Sequence, residues 1–119
     1  MIFSFEMPLP ARIWSTNDDR KLHYAVRANL IKDWKIATRY HYQVHFGRAK
    51  QPPSVIQVHI PIPDARRRDP HNYCGTVMKS MIDGMVMADA WADDTPEYVG
   101  HREPILYRGE MVKMTWTPF

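Results

Sequence analysis

The alternation of apolar and polar positions predicts β-strands near both ends of the chain and one in the middle. Residues 2–7 alternate in this way, and the strand that they predict ends at Pro8. Residues 54–63 alternate as well, and their prolines favour a sheet edge or a strand end. Residues 95–119 predict one or two further strands, of which the clearer covers 111–116.

Apolar residues that return every three or four positions predict two helices. The first covers residues 20–45 and carries one apolar stripe, made of Leu22, Val26, Leu30, Trp34 and Ala37. Helix-capping side chains precede it at 15–19, and Gly47 is expected to end it. The second covers 72–90. The element order predicts an α+β fold, in which two main helices cover a small mixed β-sheet within a single compact domain, residues 1–119.

Composition narrows the class of protein. The chain has 119 residues, of which 45% are hydrophobic and 24% are charged, values typical of one globular domain. Its one cysteine, Cys74, excludes an internal disulfide and a zinc site built from several cysteines. No segment resembles a signal peptide or approaches the ~20 apolar residues of a membrane-spanning helix. We therefore expect a soluble cytoplasmic protein with no membrane partner.

The two signs of charge are separated along the sequence. Basic residues cluster at positions 66–68 and are scattered over 20–50, whereas acidic residues concentrate over 83–97. A protein that binds a phosphate backbone and also holds a divalent metal is expected to separate charges in this way. A solvated surface is an equally good account of the charge pattern taken alone.

The three consecutive arginines lie where the middle strand gives way to the second helix. Burying even one unpaired guanidinium is very costly, so all three side chains must meet solvent, acidic residues or phosphate. Loops held between rigid elements are common places for functional groups. Arg66, Arg67 and Arg68 are therefore candidates for DNA contact, and a solvated turn is the alternative.

Polar residues also line one side of the second predicted helix. Asn72, Thr76, Lys79 and Asp83 share one stripe at helical spacing, opposite the apolar face. Asp69 precedes this stripe and Asp94 follows the helix, so a chain that folds back would bring both aspartates near the lysine. Carboxylates grouped in this way suit Mg²⁺, which prefers hard oxygen ligands. A simple surface ion pair between Lys79 and Asp83 is the alternative.

Three motifs stand at a set spacing: Arg66-Arg67-Arg68-Asp69-x-x-Asn72, Lys79-x-x-x-Asp83-Gly84 and Asp93-Asp94. Together they resemble the RusA family of Holliday junction resolvases, in particular its phage and prophage branch. The likeness covers residues 60–99, with a looser match at Ser15-x-Asn17. It implies a homodimeric, Mg²⁺- or Mn²⁺-dependent endodeoxyribonuclease that cuts four-way DNA junctions. Such an enzyme acts in recombination and repair, in a bacterium or a phage-infected cell.

The resemblance also implies roles for individual residues. Asp69 corresponds to the first catalytic aspartate of the family and Asp94 to the last, and Asp93, its neighbour, is a further catalytic candidate. Lys79 corresponds to the essential lysine. The DNA-binding candidates are Arg66, Arg67, Arg68, Asn72, Asn17 and Arg20.

His71 departs from the family pattern, which has a second carboxylate at this position. A histidine can ligate a metal only as the neutral imidazole, and it brings no negative charge. Either His71 acts as a metal ligand, or Asp83 supplies the missing carboxylate, or the metal site is weaker. A catalytically weakened junction-DNA-binding protein of the same fold is therefore a second hypothesis. A protein-interaction module with a merely solvated polar stripe is a third.

Overall fold

Five strands and three α-helices follow one another in the computed structural model, which describes residues 1–64 and 67–119. The strands are β1 (Phe3–Pro8), β2 (Ser54–Ile62), β3 (Val99–His101), β4 (Ile105–Arg108) and β5 (Met111–Pro118). The α-helices are α1 (Thr16–Asp19), α2 (Tyr24–Phe46) and α3 (Lys79–Met87). A 3₁₀ turn, Pro70–Tyr73, and a π-helical turn, Cys74–Met78, lead directly into α3. The predicted α+β fold is confirmed.

The strands form one mixed sheet with β5 and β2 at its centre. β5 runs antiparallel to both β1 and β2, while β3 and β4 run parallel to β2 along its other edge. The register aligns Phe5, Met114 and Val58 in one row across three strands. β2 ends at Ile62, directly before Pro63, so the predicted strand end is confirmed there. Pro61 lies inside β2 and pairs with β4 but not with β5.

Apolar side chains from one face of the sheet pack against α2 and α3. Trp14, Trp34 and Trp116 are fully buried in this core. The indole of Trp34 donates to the carbonyl of Arg12 at 3.2 Å, and that of Trp116 donates to Gln51 Oε1 at 3.0 Å. These hydrogen bonds allow the large rings to be buried without an unsatisfied N–H group.

The first predicted helix is in fact two helices. Ser15 caps the short α1 by accepting the N–H of Asp18 at 3.1 Å, and a chain turn separates α1 from α2. Residues 24–29 are all exposed, so Val26, placed by its spacing on the apolar stripe, is 46% exposed. Periodicity identifies which face of a helix is apolar. It does not show how many turns of the helix contact the core. Gly47, with φ of +61°, ends α2 as predicted.

The second predicted helix is regular only over α3. The π-helical turn holds more residues than an α-helical turn, so a uniform helical spacing misplaces the side chains within it. Thr76, predicted on the outward polar stripe, is instead buried and donates to the carbonyl of Trp14 at 2.6 Å. Gly84 brings α3 into backbone contact with α2, because a Cβ at this position would lie 2.6 Å from the Lys35 carbonyl oxygen.

Over the described residues, no helix is both long enough and apolar enough to cross a membrane.

Candidate active site

Lys79, the first residue of α3, joins two acidic side chains that are separated in sequence. Its ammonium donates a hydrogen bond to Asp83 Oδ1, one turn further along the helix, at 2.6 Å. It donates a second hydrogen bond to Asp94 Oδ2, which belongs to the segment after α3. The predicted approach of Asp94 to Lys79 is therefore confirmed. We call these three residues the lysine network.

The lysine network is charged and partly open to solvent. The side chains of Lys79, Asp83 and Asp94 are 50%, 30% and 35% exposed. The hydrogen bond from Lys79 lowers the pKa of Asp94, and the positive charge of the ammonium adds to this effect. Burial lowers the pKa of Lys79, but the hydrogen bonds to Asp83 and Asp94 outweigh it, so the net pKa is raised. Lys79 and Asp94 are thus both ionised at neutral pH.

The segment between α3 and β3 holds Asp94 in place. Asp89, with φ of +62°, lies in the turn that follows α3. The buried indole of Trp91 then donates to the carbonyl of Pro52 at 2.8 Å and anchors the segment on the core. Asp93, the predicted neighbour of the catalytic aspartate, accepts the backbone N–H of Asp94 at 2.7 Å. Its carboxylate therefore shapes the turn that presents Asp94.

An open groove of about 450 Å³ lies beside the lysine network. Its lining includes Cys74, Met78, Lys79, Ile82, Asp94 and His101. Burial raises the pKa of Cys74, and the negative charges of Glu103 and Asp69 add to the rise, so the thiol is protonated at neutral pH. Sequence reasoning missed His101 as a groove residue, because the three-residue strand β3 is too short to reveal a facing pattern. It missed Cys74 because that residue begins the π-helical turn, where uniform helical spacing fails.

Asp69, the predicted first catalytic aspartate, caps the 3₁₀ turn. Its carboxylate accepts the backbone N–H of His71 at 3.0 Å. Both residues are exposed, and His71 Nδ1 lies 3.9 Å from Cys74 Sγ. Asp69 is thus near the Cys74 end of the groove, and within the described contacts it makes no hydrogen bond or ion pair to Lys79. The predicted convergence of Asp69 with Asp94 is not formed as a direct contact.

The arginine loop is described from Arg67 onward, and Arg66 lies outside the described residues. Arg67 is exposed. The side chain of Arg68 is only 13% exposed and forms an ion pair with Asp64 at 2.8 Å. The hydrogen bond to Asp64 raises the pKa of this guanidinium. One arginine therefore meets solvent and another meets an acidic residue, two of the three environments that the sequence predicts.

The early loop lies against the start of the second helical run. Thr16 Oγ1 donates to the backbone carbonyl of Asn72 at 3.0 Å, and this contact ties α1 to the 3₁₀ turn. Asn17 and Arg20, the DNA-binding candidates of this loop, are both exposed. Asn72 itself is partly buried. The looser match at Ser15-x-Asn17 is therefore close in space to the main motif.

The donors of the lysine network suit Mg²⁺ chemically. Asp83 and Asp94 offer hard carboxylate oxygens, and Lys79 contacts each of them through one oxygen. Across residues 1–64 and 67–119, however, no three histidine, cysteine, aspartate or glutamate side chains lie close enough together to hold a metal ion. Asp69 and His71 are therefore not grouped with the other two carboxylates, and the metal site stays a prediction.

No protein-family model matches the chain, and no curated protein shows significant similarity to it. The resemblance to the RusA family thus rests on the motifs and their spacing alone.

Proposed function

We propose that this protein is a metal-dependent, structure-selective DNA endonuclease that hydrolyses phosphodiester bonds in four-way junctions or related branched DNA. The observation that carries the proposal is the lysine network. A lysine joins two carboxylates at the edge of an open groove, and all three residues belong to the motifs that resemble the RusA family. Grouped ionised side chains in a groove are frequent at catalytic sites.

Each residue of the network has a role in the proposed reaction. Asp94 and Asp83 would hold Mg²⁺ or Mn²⁺, and Asp69 or His71 would become a further ligand only if the 3₁₀ turn moved toward them. A metal held there would polarise the scissile phosphate and lower the pKa of a bound water. Lys79 holds the two carboxylates together in the absence of substrate, and its exposed ammonium can instead neutralise the charge that develops on phosphate oxygens. The exposed Arg67 and Asn17 would contact the DNA backbone.

A cleavage assay with two matched aspartate variants tests the proposal. Wild-type protein with Mg²⁺ is expected to nick a synthetic four-way junction in preference to a linear duplex of the same sequence. Asp94→Asn keeps the size of the side chain but removes its charge, so we expect nicking to fall at least on the order of 100-fold. Asp89→Asn removes the same charge at an exposed position outside the network, where asparagine tolerates the positive φ, so it should retain activity. Equal activity of wild type and Asp94→Asn would reject the proposal.

A second candidate, a junction-binding protein without nuclease activity, is favoured by one observation. Lys79 bonds to both carboxylates of the network and offsets one of their two negative charges, and no third metal-binding side chain joins them among the described residues. His71 stands where the resembled family has a carboxylate. This candidate predicts salt-sensitive junction binding without cleavage under any divalent metal. Gain of nicking in His71→Asp would favour it over the first candidate.

The resemblance further supports a cytoplasmic homodimer in which each copy cuts one strand. Light scattering during size-exclusion chromatography tests the dimer directly, since a 14.0 kDa chain would then elute with twice that mass.

A further inference from the structure

Positive charge is concentrated in the segment that contains α2. Residues 20–50 hold eight of the sixteen lysines and arginines but only one of the thirteen acidic residues. Their formal charge is therefore +7, whereas the rest of the chain carries −4. A surface with this much excess charge attracts a polyanion over several ångströms.

Three of these cations form one line along α2. Lys32, Lys35 and Arg39 follow one another at spacings of three and four residues, which places them on one side of the helix over about 10 Å. No ion pair joins any of the three to an acidic residue within the described ranges. Arg27, by contrast, is bound to Asp19 at 2.8 Å. We call Lys32, Lys35 and Arg39 the basic line.

The basic line passes close to the lysine network. Gly84, the residue after Asp83, lies in backbone contact with Lys35. Met87 stands one turn after Asp83, about 6 Å further along α3, and shares a surface groove with Lys32 and Lys35. A polyanionic strand that reached the lysine network could therefore continue along α2.

We propose that the basic line binds the phosphate backbone of a duplex arm that leads to the lysine network. This inference rests on the proposed function and adds a DNA-binding surface outside the arginine loop. About 10 Å of duplex axis carries about three phosphates on each strand, a number that three aligned cations can neutralise. The groove beside the line is also apolar, but Ile36 and Met87, its exposed apolar members, are only 40% and 41% exposed. The line therefore offers unpaired positive charge and little exposed apolar surface. This combination favours a phosphate backbone over an amphipathic acidic peptide.

The salt dependence of DNA binding tests the basic line. Wild type and the triple variant Lys32→Gln/Lys35→Gln/Arg39→Gln are titrated with a labelled four-way junction in EDTA, which prevents cleavage. The slope of log Kd against log salt should decrease by about 2 to 3 in the variant, because each lost phosphate contact removes about 0.9. The single variant Lys32→Gln changes an exposed residue to one of good helix propensity, and its slope should decrease by about 1.

A charge-matched control separates the basic line from net charge. Arg102→Gln/Arg108→Gln/Lys113→Gln removes three cations from the strand region, and its slope should stay within about 1 of wild type. Equal slopes for wild type and the basic-line variant, or equal losses in both triple variants, would overturn the inference while junction binding still supports the proposed function. Absence of DNA binding by wild type at low salt would instead reject the proposed function itself.

A peptide probe distinguishes the competing occupant. A fluorescent amphipathic helical peptide of glutamate and leucine is titrated against the same proteins. In one outcome the peptide binds wild type and binds the basic-line variant more weakly, while both proteins bind the junction equally well. The surface then binds an acidic protein partner, and the DNA inference is wrong. If junction binding depends on the basic line and peptide binding does not, the inference is supported.

Discussion

The two aspartates that the sequence places at either end of the second helical run have different surroundings. Asp94 follows α3, is held by a segment anchored through Trp91, and pairs with Lys79. Asp69 precedes the 3₁₀ turn, is exposed, and accepts a backbone N–H as a helix cap. One carboxylate is engaged by another charge and the other by the backbone. An aspartate at a helix entrance therefore has a structural use that its position alone cannot separate from catalysis.

Among the variants that test this comparison, Asp69→Asn has the largest expected effect, because it separates catalysis from capping at Asp69. Asparagine caps helices as well as aspartate does, so Asp69→Asn should unfold at the same temperature as wild type. If the carboxylate also serves the proposed reaction, junction nicking falls by about 10- to 100-fold in this variant. Asp69→Ala, the control, should in addition lose about 1 kcal/mol of stability with the cap. Full nicking activity in Asp69→Asn would show that Asp69 only caps the 3₁₀ turn and takes no part in the proposed reaction.

The close contact between α3, which precedes Asp94, and α2 is tested at Gly84. A Cβ at this position would meet the backbone oxygen of Lys35 and the side chain of Thr38, so α2 and α3 must move apart. We expect Gly84→Ala to lower the free energy of unfolding by about 1–3 kcal/mol, measured by urea denaturation. Gly75→Ala is the matched control, because no atom lies within 4 Å of its added Cβ. A similar loss in both variants would point to backbone effects instead of the helix contact.

The π-helical turn, which lies between Asp69 and Asp94 in the sequence, is tested at Thr76. Its hydroxyl donates to the carbonyl of Trp14 at 2.6 Å, and valine has a similar shape without this donor. Thr76→Val should cost about 1–2 kcal/mol, because the buried carbonyl loses its partner. Thr76→Ser retains the hydroxyl and should destabilise the protein less. A neutral Thr76→Val would contradict the inward placement of this side chain.

The smallest effect concerns the pH dependence of the Lys79–Asp94 pair. The folded chain lowers the pKa of Asp94 below its ordinary value of 3.8, so the ionised carboxylate stabilises the fold above that pH. This stabilisation is lost as the pH falls through the lower, folded-state pKa. Because Asp94 is 35% exposed, solvent screening limits the contribution to less than about 1 kcal/mol.

Denaturation curves of wild type and Asp94→Asn at pH 6 and below pH 3 measure this contribution. The difference in the free energy of unfolding should be present at pH 6 and shrink toward zero at the lower pH. A difference that grows on acidification would contradict the pairing of Asp94 with Lys79.

Much of the fold could be predicted from local pattern. The alternation at residues 2–7 and 54–63 and the glycine that ends α2 are read directly from side-chain types, and the structure confirms each. Helix boundaries were less accurate, because 20–45 contains a one-turn helix and a separate long one. The exposure of Val26 could not be predicted, since it depends on how far α2 extends past the sheet.

The candidate site was predicted in part. The spacing of Lys79 and Asp83 determines their pairing, because residues four apart on a helix are neighbours. Thr76 was misplaced, since nothing in its immediate sequence distinguishes a π-helical turn from an α-helical one. Cys74 and His101 were missed as groove residues because they meet only through the packing of the helical run beside β3.

By itself, then, the sequence of this protein determined the strand faces, the Lys79–Asp83 pair and the separation of positive from negative charge, since all three follow from side-chain type and spacing along the chain. Only the tertiary structure decided that Asp94 returns to Lys79, that Asp69 acts as a cap, and that the basic line of α2 lies beside α3. These are long-range relations. They depend on the anchoring of Trp91 and the close approach at Gly84, contacts between residues far apart in sequence that no local pattern encodes.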